Sequence, residues 1–287
     1  MRALVLSGGG SKGAFQVGAI MYLMETLKFK YDIYCGVSVG AINAAHLAQY
    51  KDGEEKEASI SLRLLWQKLY TDKVYKDFPL GKISALWEPS VYNSWPLRKL
   101  LEKELDVNKV RESGKQLKIG VVSLDTGNYR RFDENSPELL NAVLASSAFP
   151  GMLMPIDIDG ELYTDGGVKN ITPIFAALSA GATEIDIVMT SPAHVKYKKL
   201  DDPNTLDIAL RVIELMADEI TEGDLREAVL LNDLSSKPKA TFRIIRPDKV
   251  LTDNSLDFSP IKTGAMLVKG YSKAKLICEG KHGRETA

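Results

Sequence analysis

The sequence predicts an α/β fold with a mostly parallel sheet covered by helices, and three observations carry that expectation. Short apolar runs alternate with helix-length segments from the N-terminus onward. The runs Ala3–Leu6 and Ile33–Cys35 are apolar throughout, as strands buried on both faces are. The 287 residues are 45% hydrophobic and 26% charged, which allows a substantial core.

In order, a strand at Ala3–Leu6 leads to a helix over Gly13–Leu27, a strand at Ile33–Cys35, a helix running on from Val39 and another over Glu54–Leu69. From Tyr70 to Pro96 the pattern loosens, with Pro79, Pro89 and Pro96 interrupting it and Phe78, Trp87, Tyr92 and Trp95 interspersed. That segment is a candidate lid or membrane-facing element, or else a cluster packed over the sheet. Lys118–Ser123 reads as a strand, with Asn128–Phe132 returning against it through Thr126–Gly127. Ser136, Pro137 and Glu138 start a helix to about Ser147, serine capping it and proline in its first turn.

Short strands around Pro155–Ile158 and Glu161–Tyr163 join at Asp159–Gly160, and a helix over Thr172–Ala180 is stopped by Gly181. Glu184–Thr190 restores the strand pattern. A polar loop, a long helix over Thr205–Asp233, a strand at Thr241–Ile245 and a last helix within Ser259–Glu279 complete the chain. The expected division is a core over residues 1–182 and, over residues 183–287, the C-terminal part of the same α/β domain with a helical addition.

Thirty-seven basic residues against 38 acidic give a formal charge of −1, so there is no electrostatic case for nucleic acid as a partner. Four apolar residues before the first glycine are too few for a signal peptide, and no apolar segment reaches bilayer length. Cys35 and Cys278 form no metal or disulfide spacing. A reducing, cytoplasmic setting is expected.

The first strand runs into GGGSKG, Gly8–Gly13, and then a helix. Such a loop suits negative charge: a nucleotide phosphate, a dinucleotide pyrophosphate or the oxyanion of an attacked ester. A phosphate-binding loop fails, because Ala14 and not lysine follows Gly13. The dinucleotide fingerprint matches at Gly8, Gly10 and Gly13, but Asp32 stands at the beginning of the second strand, whose end reads GVSVG, Gly36–Gly40. There Ser38 sits where a strand turning sharply into a helix would expose it, with small neighbours allowing the turn. The plainer reading has the two glycines merely punctuate the junction. With both turns at the carboxyl ends of parallel strands, amides of Gly8–Gly10 would face Ser38 as an oxyanion hole.

A serine needs a base. His46 lies within the helix after Ser38 and His282 in a polar tail, so neither is well placed. Asp165 in YTDGG precedes Gly166 and Gly167, which allow either close approach or a simple surface turn. His194 follows the strand Glu184–Thr190, and a Ser38/Asp165/His194 triad in α/β-hydrolase order is the rival; against it, Ser38 follows only the second strand.

GGGSKG, GVSVG, ASSAFPG at Ala145–Gly151 and DGG at Asp165–Gly167 together resemble, in order and spacing, the patatin-like phospholipases. The resemblance covers roughly residues 3–180, and LDFSPIKTGAMLVKGYSKAKL resembles the tail of bacterial members more loosely. It implies a three-layer sandwich and a catalytic dyad of Ser38 as nucleophile and Asp165 as general base. The amides of Gly8, Gly9 and Gly10 would form the oxyanion hole, with Gly13, Gly36, Gly40, Gly166 and Gly167 supporting the motifs, and no metal or cofactor is implied. The implied function is a serine acyl hydrolase that cleaves (lyso)phospholipid or related esters through an acyl-enzyme. Its partners would be a lipid or ester substrate and, transiently, a membrane surface; a non-catalytic lipid-binding protein is the alternative.

Lys12 fits the family's basic position, with a solvated helix-start lysine favoured over a contact to lipid phosphate. Phe149, Met152, Leu153 and Met154 line an acyl site or belong to the core. DIDGELYTD is not a calcium loop, since Gly160 directly follows the second aspartate. A free aspartate, with a pKa of ~3.9, is a weak base toward serine. Partial burial should raise it, leaving catalysis modest and retained at mildly acidic pH.

Overall fold

Two parallel strands open the chain, β1 (Arg2–Leu6) and β2 (Ile33–Gly36), with helix α1 (Gly13–Ile20) between them and α2 (Val39–Leu47) after the second. The chain continues through α3 (Glu55–Lys68), α4 (Thr71–Val74), a two-residue antiparallel pair β3 (Lys76–Asp77) and β4 (Tyr92–Asn93), then α5 (Trp95–Glu104) and α6 (Val107–Glu112). Next come β5 (Gln116–Ser123), β6 (Tyr129–Asp133), α7 (Leu139–Ser146), β7 (Ile156–Ile158), β8 (Glu161–Asp165) and α8 (Ile174–Ser179). Last are β9 (Glu184–Val188), α9 (Thr205–Leu234), β10 (Thr241–Ile245) and α10 (Pro260–Glu279). This computed structural model describes residues 1–79, 87–193, 200–235 and 238–280.

The central sheet has the order β10-β9-β1-β2-β5-β8-β7, parallel from β10 to β5 and antiparallel beyond. Side chains alternate across it with the strand period of two. Leu4, Leu6 and Tyr34 pack with α1, α2 and α3 on one face, while Ala3, Val5, Ile33 and Cys35 pack with α8 and α9 on the other. The result is the expected α/β sandwich of helices, sheet and helices. Each fully buried aliphatic side chain in these strands contributes ~1.5–3 kcal/mol relative to exposure, which is why β1 and β2 carry no charge after Arg2.

The edges of β5 decide where the site forms. β6 pairs with Lys118–Val122 of β5, so it occupies one edge over that whole length. β2 pairs with Gln116–Ile119 and β8 with Val121–Ser123, and both overlap the β6 register. They therefore share the opposite edge, end to end and running toward each other. The last residue of β2, Gly36, is opposite Ile119, and the last residue of β8, Asp165, is opposite Val121. One residue of β5, Gly120, lies between those partners, a two-step rise of ~6.6 Å. The turn that carries Ser38 leaves the sheet in that gap.

Several local expectations are corrected. The helix after Gly13 is α-helical only to Ile20 and continues as a wider π turn over Met21–Thr26, with Leu27 N donating to Tyr22 O at 3.0 Å. Pro96 does not interrupt structure but sits in the first turn of α5, where its missing N–H costs nothing; α5 and α6 were not expected. Ser136 does not cap α7: its Oγ accepts from Asp133 N at 2.9 Å, closing the turn after β6, and α7 starts three residues later with no side-chain cap. In the Tyr70–Pro96 segment, residues 80–86 lie outside the described residues. Trp87 and Trp95 are 74% and 54% exposed, which does not fit a cluster packed over the sheet, while Tyr75 and Tyr92 stack at 4.4 Å.

Candidate active site

Ser38 stands between β2 and α2 with φ 57° and ψ −132°, a left-handed conformation that L-residues with side chains avoid. Its flanking glycines are there for space. A β-carbon on Gly36 would run into the Gly40 carbonyl, and one on Gly40 into the Leu6 carbonyl at the end of β1. Ser146, from the ASSAFPG stretch, accepts from Ser38 N at 2.9 Å and donates to Gly120 O at 2.7 Å, and Ser147 Oγ donates to Ser38 O at 3.4 Å. These two serines fix the strained turn to β5 and α7. Sequence reasoning quoted them only as part of a motif; their spacing after a helix-length apolar run gave no separate signal.

Asp165 is 3% exposed; its carboxylate accepts from Gly167 N at 2.8 Å and lies within interaction range of the Ser38 hydroxyl. Burial pushes this carboxyl up to about 7, against the opposing pull of the Ser38 hydroxyl and the Gly167 amide. The expected partial burial of Asp165 is corrected: its desolvation is nearly complete. Gly166 lies so close to β5 that a β-carbon would meet the Gly120 carbonyl, which lets the turn after Asp165 fold back.

The Gly8–Gly13 loop leaves β1 beside this turn, since Leu6 and Gly36 are register partners. Gly8 N donates to Ile171 O at 3.1 Å, so the expectation that it is a free donor is corrected; Gly9 N and Gly10 N have no acceptor among the described residues. Gly9 has φ 151°, and a β-carbon there would collide with Thr190, whose hydroxyl donates to Gly8 O. Ser11 N donates to Ser255 O at 2.7 Å, so residues far along the chain clamp both sides of the loop. A β-carbon on Gly13 would lie 2.6 Å from Val39 Cγ2, which sets how tightly α1 meets α2. The N-terminus of the nine-residue α2 adds a positive end to the same spot.

A cavity of about 650 Å³ opens onto Gly8–Gly10, Ser38 and Asp165. Its walls are mainly apolar, with Val39 and Ile42 on α2, Leu97 on α5, Phe149 and Leu153 after α7, and Ile171. Met152 is buried outside this lining, and Met154 faces a smaller cavity of about 230 Å³ that shares Leu97, Ser147 and Leu153 with the main one. Lys12 is half-buried on the wall of the main cavity, not solvated as expected; burial lowers its pKa, and Asp218 and Glu214 of α9 act in the opposite direction.

His46 is buried, its Nε2 3.0 Å from Ser61 Oγ, and desolvation brings its pKa down to about 4, so it is a neutral packing residue. His194 and His282 lie outside the described residues. Among the described residues no group of His, Cys, Asp and Glu is placed to hold a metal ion, and no helix is long and apolar enough to cross a membrane.

The family model of the patatin-like phospholipases matches residues 4–178, which include all four motifs. The chain belongs to that family. The Escherichia coli (strain K12) protein YjjU is 25% identical, over 68% of this chain and 53% of its own length. A cGAMP-activated phospholipase from Escherichia coli (strain TW11681) is 27% identical over 62% of this chain and 55% of its own. Calcium-independent phospholipase A2-gamma of Rattus norvegicus is 25% identical over 62% of this chain and 26% of its own. This patatin-like chain thus spans about half the length of the first two relatives, and less of the third. Among solved structures, VipD from Legionella pneumophila aligns with a TM-score of 0.45 at 16% identity, covering 96% of this chain and 66% of that one. The type III effector ExoU aligns with a TM-score of 0.36 at 16% identity, covering 95% and 52%.

Proposed function

We propose that this protein is a serine acyl hydrolase that cleaves carboxylic esters of phospholipids or lysophospholipids through an acyl-enzyme on Ser38. The observation that carries the reading is a strained-turn serine whose hydroxyl adjoins a buried carboxylate at the head of a large, mainly apolar cavity. Membership of the patatin-like phospholipase family supports a lipid as the substrate.

Ser38 Oγ attacks the acyl carbonyl carbon while Asp165 takes its proton. The carbonyl oxygen becomes an oxyanion, held by the amides of Gly9 and Gly10 and by the positive end of α2. Collapse breaks the ester C–O bond, and the protonated Asp165 returns its proton to the departing alcohol. Water then attacks the acyl-enzyme, again giving its proton to Asp165, and the fatty acid leaves as Ser38 is reprotonated. Apolar walls hold the acyl chain and keep bulk water off Asp165, which maintains its raised basicity.

The test is turnover of a short-chain chromogenic ester and a defined phospholipid by wild type, Ser38→Ala, Asp165→Asn and His194→Ala. Loss in the first two variants with retention in the third is expected. A dead His194→Ala enzyme with an active Asp165→Asn would refute the dyad, and an inactive wild type would favour lipid binding without catalysis.

A further inference from the structure

Asp224 lies on α9, well beyond residue 178 where the family match ends, and is only 7% exposed. Its carboxylate accepts three hydrogen bonds, from Ile171 N at 2.7 Å, Thr172 N at 2.8 Å and Asn170 Nδ2 at 2.8 Å. A buried carboxylate is costly, so a position that keeps one does so for what its acceptors hold. All three donors come from a single segment, the loop that follows the Asp165 turn. Apolar contact already anchors α9 to the sheet, through Leu225 and Ala228 packed with Ile185 and Ile187, so the fold does not need Asp224 to dock the helix.

That loop runs between the two halves of the site. The Ile171 carbonyl is the acceptor of Gly8 N at 3.1 Å. The Ile171 side chain lies 3.6 Å and 3.3 Å from where β-carbons on Gly8 and Gly167 would stand, and Gly167 N is the donor that holds the Asp165 carboxylate. We propose that Asp224 is a positioning residue for the reaction: by holding Asn170–Thr172 it sets the depth of the Gly9 and Gly10 amides and the aim of Asp165. The inference rests on the Ser38–Asp165 reading of the site.

The geometry also supplies its own control. In Asp224→Asn the side-chain oxygen takes the place of the one that accepts from both Ile171 N and Thr172 N. Asn170 Oδ1, buried without a partner among the described residues, turns to accept the new amide. Asp224→Ala instead strands all three donors.

The experiment measures kcat and KM on a short-chain chromogenic ester for wild type, Asp224→Asn and Asp224→Ala at pH 8, normalised to active sites titrated with a fluorophosphonate. Amide hydrogen exchange of segments 6–12 and 169–173 is followed in parallel. Asp224→Ala is expected to lose on the order of 10–100-fold in kcat per active site with KM nearly unchanged, since sub-ångström displacement of catalytic groups is enough for that. Asp224→Asn should recover most of it, and exchange should quicken in both segments only in the alanine variant. Asn170→Ala, which removes one donor, should fall between the two and stands in if Asp224→Ala does not fold. Unchanged kcat per active site in Asp224→Ala, an asparagine variant as impaired as alanine, or unaltered exchange in segment 6–12 would each overturn the proposal. If wild type turns over no ester, the Ser38–Asp165 reading falls, and the exchange comparison still decides whether Asp224 holds the glycine loop.

Discussion

The raised pKa of Asp165 makes one prediction that both activity and stability must satisfy. The carboxyl moves from 3.8 to about 7, about 3 units, which at 1.36 kcal/mol per unit is on the order of 4 kcal/mol against ionisation inside the fold. Only the ionised form accepts the Ser38 proton, so kcat/KM should rise through an acid limb near pH 7. About a tenth of the activity should remain at pH 6 and about a hundredth at pH 5. For stability the sign is opposite to the usual carboxylate. Between pH 3.8 and 7 the native state keeps a proton that the unfolded chain releases, so stability falls as pH rises and the full cost is present above pH 7.

Asp165→Asn removes that cost while removing the base. Urea denaturation should therefore find the variant more stable than wild type at pH 8, by up to about 4 kcal/mol, with the gap closing toward pH 4. The same variant should lose ~10²–10⁴ in turnover. An imidazole base would place its limb in the same region, and burial also pushes Asp224 up to about 7, so His194→Ala and Asp224→Asn are the controls, both expected to keep the limb. A wild-type limb at or below pH 5, together with no gain in stability for Asp165→Asn at pH 8, would refute the claim that desolvation makes this carboxylate a base.

Gly9→Ala forces a β-carbon onto Thr190 at a φ of 151°, so it should displace both free amides and cost ~10²–10³ in kcat, checked against an unchanged far-ultraviolet circular dichroism spectrum. Ile42 lines the cavity one helical turn, ~5.4 Å, beyond Ser38, so Ile42→Trp should lower kcat/KM for long-chain esters at least ~10-fold more than for acetate or butyrate esters. Equal losses across chain lengths would move the acyl chain to another wall.

Much of this site was legible because its backbone devices need particular residues. GVSVG reads as a strained turn since only glycine fits where Gly36 meets Gly40 and Gly40 meets β1. The buried strands announced themselves by unbroken apolar runs. What sequence could not supply was which atoms are already spoken for. Gly8 looks like a third oxyanion donor until Ile171 O is seen to take its amide, and Lys12 looks solvated until it is found half-buried on the cavity wall, within the field of Asp218 and Glu214 of α9. Pro96 and Ser136 were misassigned for a related reason, because a proline or a serine near a helix start has two local solutions and tertiary packing selects one. Asp224 had no local signal at all, being one acid among several on a long helix.

Three departures from ordinary local rules converge on one cavity. Among the described residues, Ser38 adopts a positive φ with a side chain, Asp165 buries a carboxylate with no cation acting on it, and Gly9 and Gly10 leave amides without acceptors. Each is unfavourable alone, by amounts of about 1–3 kcal/mol for the strain and more for the buried acid. Ser38 and Asp165 meet because β2 and β8 run head-on along one edge of β5 and leave an opening with only Gly120 between their register partners, and the Gly9 and Gly10 amides reach the same cavity from the end of β1, the neighbour of β2. A strand continued through that opening would displace the turn that carries Ser38. On the proposed reading, that opening is where stability is given up for chemistry, and the cavity walls around it select which ester reaches the serine.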